Sequence, residues 1–193
     1  GWEEGGETAD GGEEAAAAEA AASDPTVGTK RELRPSPERV SLPRGERASS
    51  VAAGFGFAVI TLSGGGARAF GTNDRFQLGL HDRVPRDVPP RIPELNRLRL
   101  VGVACGQQHA VVVDESGRAW SWGLGSFGQL GHGRRNDERS PRRVEALAEV
   151  GRLTMVACGQ LHTAFLLRPA PGEPARLLGC GHAEYGQLGT GDA

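Results

Sequence analysis

Residues 103–131 read VACGQQHAVVVDESGRAWSWGLGSFGQLG, and this stretch decides the fold. Leu100–Ala104 is apolar and runs into a glycine turn. His109–Val113 is a second short apolar run, Asp114-Glu115-Ser116-Gly117 is a turn, and Arg118–Gly123 alternates polar with apolar through Trp120 and Trp122. Short runs of period two bounded by turn residues are the pattern of β-strands, and three in succession make a meander. No segment carries a helical stripe longer than about two turns. Val144–Val150 is the best candidate for a short helical or irregular connection.

Working outward, the same text returns. Ala104-Cys105-Gly106-Gln107-Gln108-His109 recurs as Ala157-Cys158-Gly159-Gln160-Leu161-His162 and, altered, as Ala53-Gly54-Phe55-Gly56-Phe57. Gly128-Gln129-Leu130-Gly131 recurs as Gly186-Gln187-Leu188-Gly189 and as Phe76-Gln77-Leu78-Gly79. Cys105 and Cys158 are 53 residues apart, Gln77 and Gln129 52, and Gln129 and Gln187 58, so two independent motifs share one period. The longer last interval is accounted for by Arg168–Pro174 replacing the short turn at Asp114–Gly117, and extra loop length costs little. The hairpin repeats too, as Val59–Leu62 with Arg68–Phe70 and as Ala164–Leu167 with Ala175–Leu178. The class is all-β, with copies at approximately 51–100, 101–153 and 154–193. A repeat of ~50 residues holding about four short strands is the size of a propeller blade, and radial stacking of blades hides their sheet edges. So many tight turns also explain 30 glycines in 193 residues.

Residues 1–48 have a different composition. From Gly1 to Asp24 there are eight acidic residues, no basic ones, and apolar content that is almost wholly alanine. Such a segment cannot bury enough surface to offset its ordering entropy, and the expectation is a disordered acidic tail. Residues 28–47 carry six basic and three acidic residues among Pro35, Pro37 and Pro43, which is linker composition. The net charge of −2 argues against a nucleic-acid binder held by a global positive field, so direct nucleic-acid contact is not expected. No apolar run reaches the ~20 residues of a membrane helix. Three cysteines do not make a disulfide framework and suggest an intracellular, reducing compartment. The sequence leaves mitochondrion against cytoplasm or nucleus open. It has no initiator Met, and it is expected to be part of a longer chain.

The pattern Val-Ala-Cys-Gly-x-x-His, a hairpin, then Trp-Gly-x-Gly-x-x-Gly-Gln-Leu-Gly, complete in Val103–Gly131, resembles the regulator of chromosome condensation (RCC) repeat. The resemblance covers about residues 51–192. Its first copy departs, with Ala53 for Cys, Phe57 for His and Phe76 for Gly, and its opening is similar to the mitochondrial G-exchanging-factor-like branch. The resemblance implies a seven-bladed propeller, of which three copies form a partial β-propeller. An open arc would expose sheet edges and blade faces, so a fragment is expected.

Chemistry-bearing patterns mostly reduce to packing. Gly123-Leu124-Gly125-Ser126-Phe127-Gly128 matches the dinucleotide fingerprint, but no helix follows to receive a pyrophosphate, and the equivalent stretch of the first copy lacks two of the three glycines. Cys105, His109, Cys158 and His162 have the inventory of a zinc site. They occupy equivalent positions in successive copies, so rotation about the propeller axis separates them, and buried thiols with histidines bonded to backbone are the expected reading. Cys180 is read as packing, as are Phe70, Trp120, Trp122, Phe127 and Tyr185 between blades. No nucleophile elbow, zinc-protease motif or paired carboxylates are present. The expectation is no catalytic residue, no metal, no cofactor and no small-molecule substrate.

What remains is a binding surface on loops carried by rigid sheets. The resemblance implies that the Gly-x-x-His loops of the nucleotide-exchange member face its small GTPase. Carried over by position, this selects Gln107, Gln108, His109, Gln160, Leu161 and His162, with Phe55, Gly56 and Phe57 in the divergent copy. The expected function is a protein-interaction scaffold, its partner a GTPase or an assembly such as a ribosomal precursor. The alternative is a guanine-nucleotide exchange factor for a small or dynamin-like GTPase. In the exchange-competent member a hairpin wedge follows a Trp-Gly, and the turn after Trp122-Gly123 is the short form.

Overall fold

The computed structural model describes residues 36–169 and 172–191. The chain divides into two units, Gly1–Val40 and Ser41–Ala193, and every strand among the described residues lies in the second. The acidic tail, and the proline-punctuated stretch up to Pro35, fall outside the described residues.

Among the described residues ten strands form three antiparallel sheets. β1 (Ala48–Ala53), β2 (Phe57–Leu62) and β3 (Ala67–Gly71) make the first blade. β4 (Leu100–Cys105), β5 (His109–Asp114), β6 (Ala119–Gly123) and β7 (Glu138–Arg143) make the second. β8 (Leu153–Cys158), β9 (His162–Leu167) and β10 (Arg176–Gly181) make the third. Short 3-10 helices at Pro93–Leu95 and Glu145–Leu147 follow the first two blades, the second inside the stretch expected to be irregular or helical. The register repeats with the sequence. Each first strand carries a shift at its second residue, between Ala48 and Ser50, Leu100 and Gly102, and Leu153 and Met155.

The fourth strand of the first blade is reduced to two bridges, Arg68 with Arg91 and Gly71 with Arg86. Pro85, Pro89 and Pro90 remove ladder donors from that segment, and proline is tolerated only at sheet edges. Pro141 in β7 sits at such an edge.

The core lies between blades. On β5, which is buried throughout, Ala110 and Val112 pack with Phe57, Val59 and Leu78 of the first blade. The alternate residues Val111 and Val113 pack with Val156, Phe165 and Leu167 of the third. One strand with two apolar faces thus serves two interfaces, which explains its run of valines.

Ordered structure begins before Ser49, inside the stretch of linker composition. Glu46 is held by the Nε of Arg68 (2.6 Å) and of Arg91 (2.9 Å), which anchors the entry to β1. The Arg68 hydrogen bond, with Arg91 in support, outweighs partial burial and holds the Glu46 carboxyl down at about 2.

Candidate functional site

The Gly-x-x-His turns join the first and second strands of each blade. Each is closed by the glycine N–H bonding the carbonyl of the ring residue three positions on: Gly54 to Phe57, Gly106 to His109 and Gly159 to His162. Glycine is required for a steric reason. A Cβ on Gly106 would lie 2.1 Å from the His109 ring and 2.6 Å from the carbonyl oxygen of Gly159. Equivalent additions at Gly54 and Gly159 would strike Phe57 at 2.2 Å and His162 at 2.0 Å. The ring lies against the glycine, and Phe57 fills that role in the copy without histidine.

Successive turns are bonded to one another. Phe55 N–H donates to the Gln107 carbonyl (3.2 Å) and Gln107 N–H to the Gln160 carbonyl (3.1 Å). Side chains repeat the link, Gln160 Nε2 donating to Gln107 Oε1 at 3.2 Å. The turns therefore form one continuous edge, beside an open concavity of about 500 Å³ lined by Ala53–Phe55, Cys105–Gln107 and Cys158–Gln160. The turn that follows each third strand joins the same side: Thr72, Leu124 and His182 N–H groups donate to the carbonyls of Gly56, Gln108 and Leu161.

Among the residues singled out from sequence, Phe55 and Gln160 are exposed, and Gln107, Gln108, Leu161 and His162 are half-buried. His109 and Phe57 are buried, so they support the edge from behind. The acceptor of His109 is not backbone, as expected, but a hydroxyl of the next blade. Thr163 Oγ1 donates to the Gln129 carbonyl (2.8 Å) and so receives the His109 Nε2 proton (3.0 Å), leaving Nδ1 without a partner. Burial, reinforced by His162, lowers the imidazole to about 4, so it is neutral at physiological pH. This relay joins residues 34 and 54 positions apart, and no local pattern announces it.

The glutamine of the Gly-Gln-Leu-Gly motif has an equally definite task. Gln77, Gln129 and Gln187 each accept, at Oε1, the backbone N–H two residues before: Arg75, Phe127 and Tyr185. In the first and third blades Nε2 also finds Thr72 Oγ1 or His182 Nδ1. In the second blade the equivalent residue is Leu124, and the Gln129 Nε2 is left unpaired. Two residues before that glutamine, Tyr185 was expected between blades and is 83% exposed, whereas Phe127, 41% exposed, packs edge-on against His182 of the third blade with ring centroids 5.3 Å apart, the inter-blade contact expected of it.

Trp122 is buried and its Nε1 donates to the Gln77 carbonyl (2.8 Å); at the same place in the third blade Cys180 Sγ reaches the Gln129 carbonyl at 3.4 Å. Cys180 thus stands where the second blade has tryptophan. Burial pushes its thiol up to about 11 and that of Cys158 to about 12, with Cys105 higher still. Thiols held protonated in this way are poor nucleophiles. Among the described residues no three His, Cys, Asp or Glu side chains come together as metal ligands. Nor does a helix follow Gly123–Gly128, where a Cβ on Gly125 would lie 1.9 Å from the Asn136 carbonyl oxygen.

Antiparallel blades that bury their apolar faces against one another, with repeated turns on one side, define a run of β-propeller blades. The regulator of chromosome condensation (RCC1) repeat matches residues 65–113 and 116–166, and a second form of it matches residues 100–129. The chain belongs to the RCC1-repeat family. The probable E3 ubiquitin-protein ligase HERC3 of Homo sapiens is 38% identical over 81% of this chain and 14% of that protein. Human WBSCR16 shares the fold with a TM-score of 0.60 at 20% identity, over 69% of this chain and 38% of that one. Prp20p from Saccharomyces cerevisiae does so at 0.57 and 18%, over 68% and 33%. The chain therefore spans 14% of the relative and no more than 38% of either structure.

Proposed function

We propose that this chain is part of a protein-interaction scaffold that binds a protein partner on the side carrying the Gly-x-x-His turns. Gln107, Gln108, Gln160 and Leu161 make the contacts, with His109 and His162 holding the turns in shape. The observation that carries this reading is the hydrogen-bonded edge from Phe55 through Gln107 to Gln160. A surface already fixed by its scaffold gives up little conformational freedom on binding. Prp20p, which shares the fold, is described by its binding properties to Gsp1p and histones, and this supports a protein partner here. A GTPase is the partner class to try first, and the mitochondrion the compartment to examine first, because both follow from the resemblance of the repeats. A ribosomal precursor is the next partner to try.

The second reading is a guanine-nucleotide exchange factor. Exchange needs no covalent chemistry, only a surface that prefers the nucleotide-free GTPase. Against it, β6 passes at Gly123 directly into the turn that ends at Gly128, with no inserted hairpin. Titration of the chain into a purified GTPase carrying labelled GDP tests both. The scaffold reading expects capture that the Gln107→Glu/Gln160→Glu pair weakens, with GDP release unchanged. Accelerated release selects the exchange factor. Capture that ignores the substituted pair contradicts both.

A further inference from the structure

Among the described residues two other than glycine adopt a left-handed backbone, Phe76 (φ 60°) and His81 (φ 65°). Both stand where the other copies have glycine in the same conformation. Gly128 (81°) and Gly186 (71°) match Phe76, and Gly133 (69°) and Gly191 (84°) match His81. The first blade therefore keeps the turn and accepts strain at two positions, and strain of this kind gathers where a segment is specialised.

The Phe76 ring is the floor of that segment. It is 7% exposed, and two guanidinium groups lie over it, Arg83 from its own blade at 4.5 Å and Arg139 of β7 at 5.5 Å. The backbone bond from His81 N–H to the Arg139 carbonyl (3.1 Å) brings the two segments together. Neighbouring carboxylates are already taken. Asp82 pairs with Arg86 (2.7 Å), Asp137 with Arg75 (3.6 Å), and Glu138 with Arg134 and Arg142. Arg83 and Arg139 are exposed and have no carboxylate among the described residues. An arginine that spends its flat face on a ring still has its N–H edge free for an oxyanion. The site adjoins the turn edge, since Gln108 Nε2 donates to Asp74 Oδ2 (2.9 Å), two residues before Phe76.

We propose that Arg83 and Arg139, preorganised on Phe76, receive acidic side chains of the protein partner. This names the partner's chemistry and rests on the scaffold reading above. Two like charges held over one ring, with Asp82, Asp137 and Glu138 paired to other arginines, are complementary to a Glu- or Asp-rich segment.

The test is binding of a fluorescein-labelled hexaglutamate peptide to the chain at fixed, near-physiological salt. The Arg83→Gln/Arg139→Gln pair is expected to weaken binding roughly tenfold. A control pair elsewhere on the surface, Arg97→Gln/Arg176→Gln, is expected to change it less than about twofold. Phe76→Gly restores the residue of the other copies, so it is expected to keep the fold and still lose affinity. Equal losses in the two arginine pairs, no binding by the unsubstituted chain, or displacement of the peptide by an equal concentration of inorganic phosphate each overturn the proposal. Failure here leaves the scaffold reading standing if the Gln107→Glu/Gln160→Glu pair still weakens GTPase capture. If that pair is silent while the arginine pair acts, the scaffold face is wrong and the acidic site survives.

Discussion

His109 is buried with one ring nitrogen bonded to Thr163 and the other unpartnered, so protonation must place an uncompensated charge between two blades. Its folded value of about 4 lies below the ordinary 6.5. The unfolded chain therefore binds more protons between these limits, and the stabilising contribution is complete above 6.5 and lost as pH falls toward 4. The loss amounts to about 3 kcal/mol at most. Urea midpoints are expected to be level between pH 7 and about pH 8, below the ordinary range of the thiols, and to fall steadily below 6.5. Much of that slope should vanish in His109→Phe, a change that copies Phe57, leaving the smaller contribution of His132, which burial also lowers. An unchanged slope in the variant would remove His109 from the account. Two glycines separate crowding from conformation. Gly106→Ala is expected to cost about 2–3 kcal/mol through collision with the His109 ring. Gly128→Ala, with open space around it but φ at 81°, is expected to cost only about 1 kcal/mol. Denaturation midpoints of the two variants check the order, and reversal would mean that the ring can swing away.

At the level of strands, legibility in the sequence followed burial. β2, β5, β6 and β9 were readable to within two residues, because a strand enclosed by its neighbours must carry apolar residues at strand spacing. β7, whose residues are ERSPRR, was not readable, since an outermost strand that is mostly half-buried needs no apolar code and tolerates Pro141. β1 was hidden for the same reason, being almost wholly exposed. The Gly-x-x-His turns were found from their repetition. Why glycine and histidine belong together became visible only when the ring was seen against the glycine. Phe76 was noticed as a departure from the repeat, but its two arginines come from residues 7 and 63 positions later and leave no local trace. Two predictions belong here. Trp122→Phe keeps the apolar ring and loses the donor to the Gln77 carbonyl, so a cost of about 1–3 kcal/mol is expected in denaturant unfolding. A cost near zero would mean that the carbonyl finds another donor. Cys158 and Cys180 are expected to react with iodoacetamide at pH 8 far more slowly than a free cysteine, with the rate restored by urea. Rapid labelling of the folded chain would contradict their burial.

For the molecule as a whole, the cores lie between blades, so no blade is expected to be stable without its neighbour, and the blades should open together. The turn edge inherits that cooperativity, because its hydrogen bonds run from one blade to the next. The central claim is that these turns form a fixed, continuous surface. Amide hydrogen exchange at Phe55, Gln107 and Gln160 measures this directly. Phe55 and Gln107 donate across blades, while the Gln160 amide has no such acceptor among the described residues. The account predicts that the first two amides exchange as slowly as the β5 valines and that Gln160 exchanges fast. Equally fast exchange at all three would show separate mobile loops, and the scaffold surface argued from their connection would not exist.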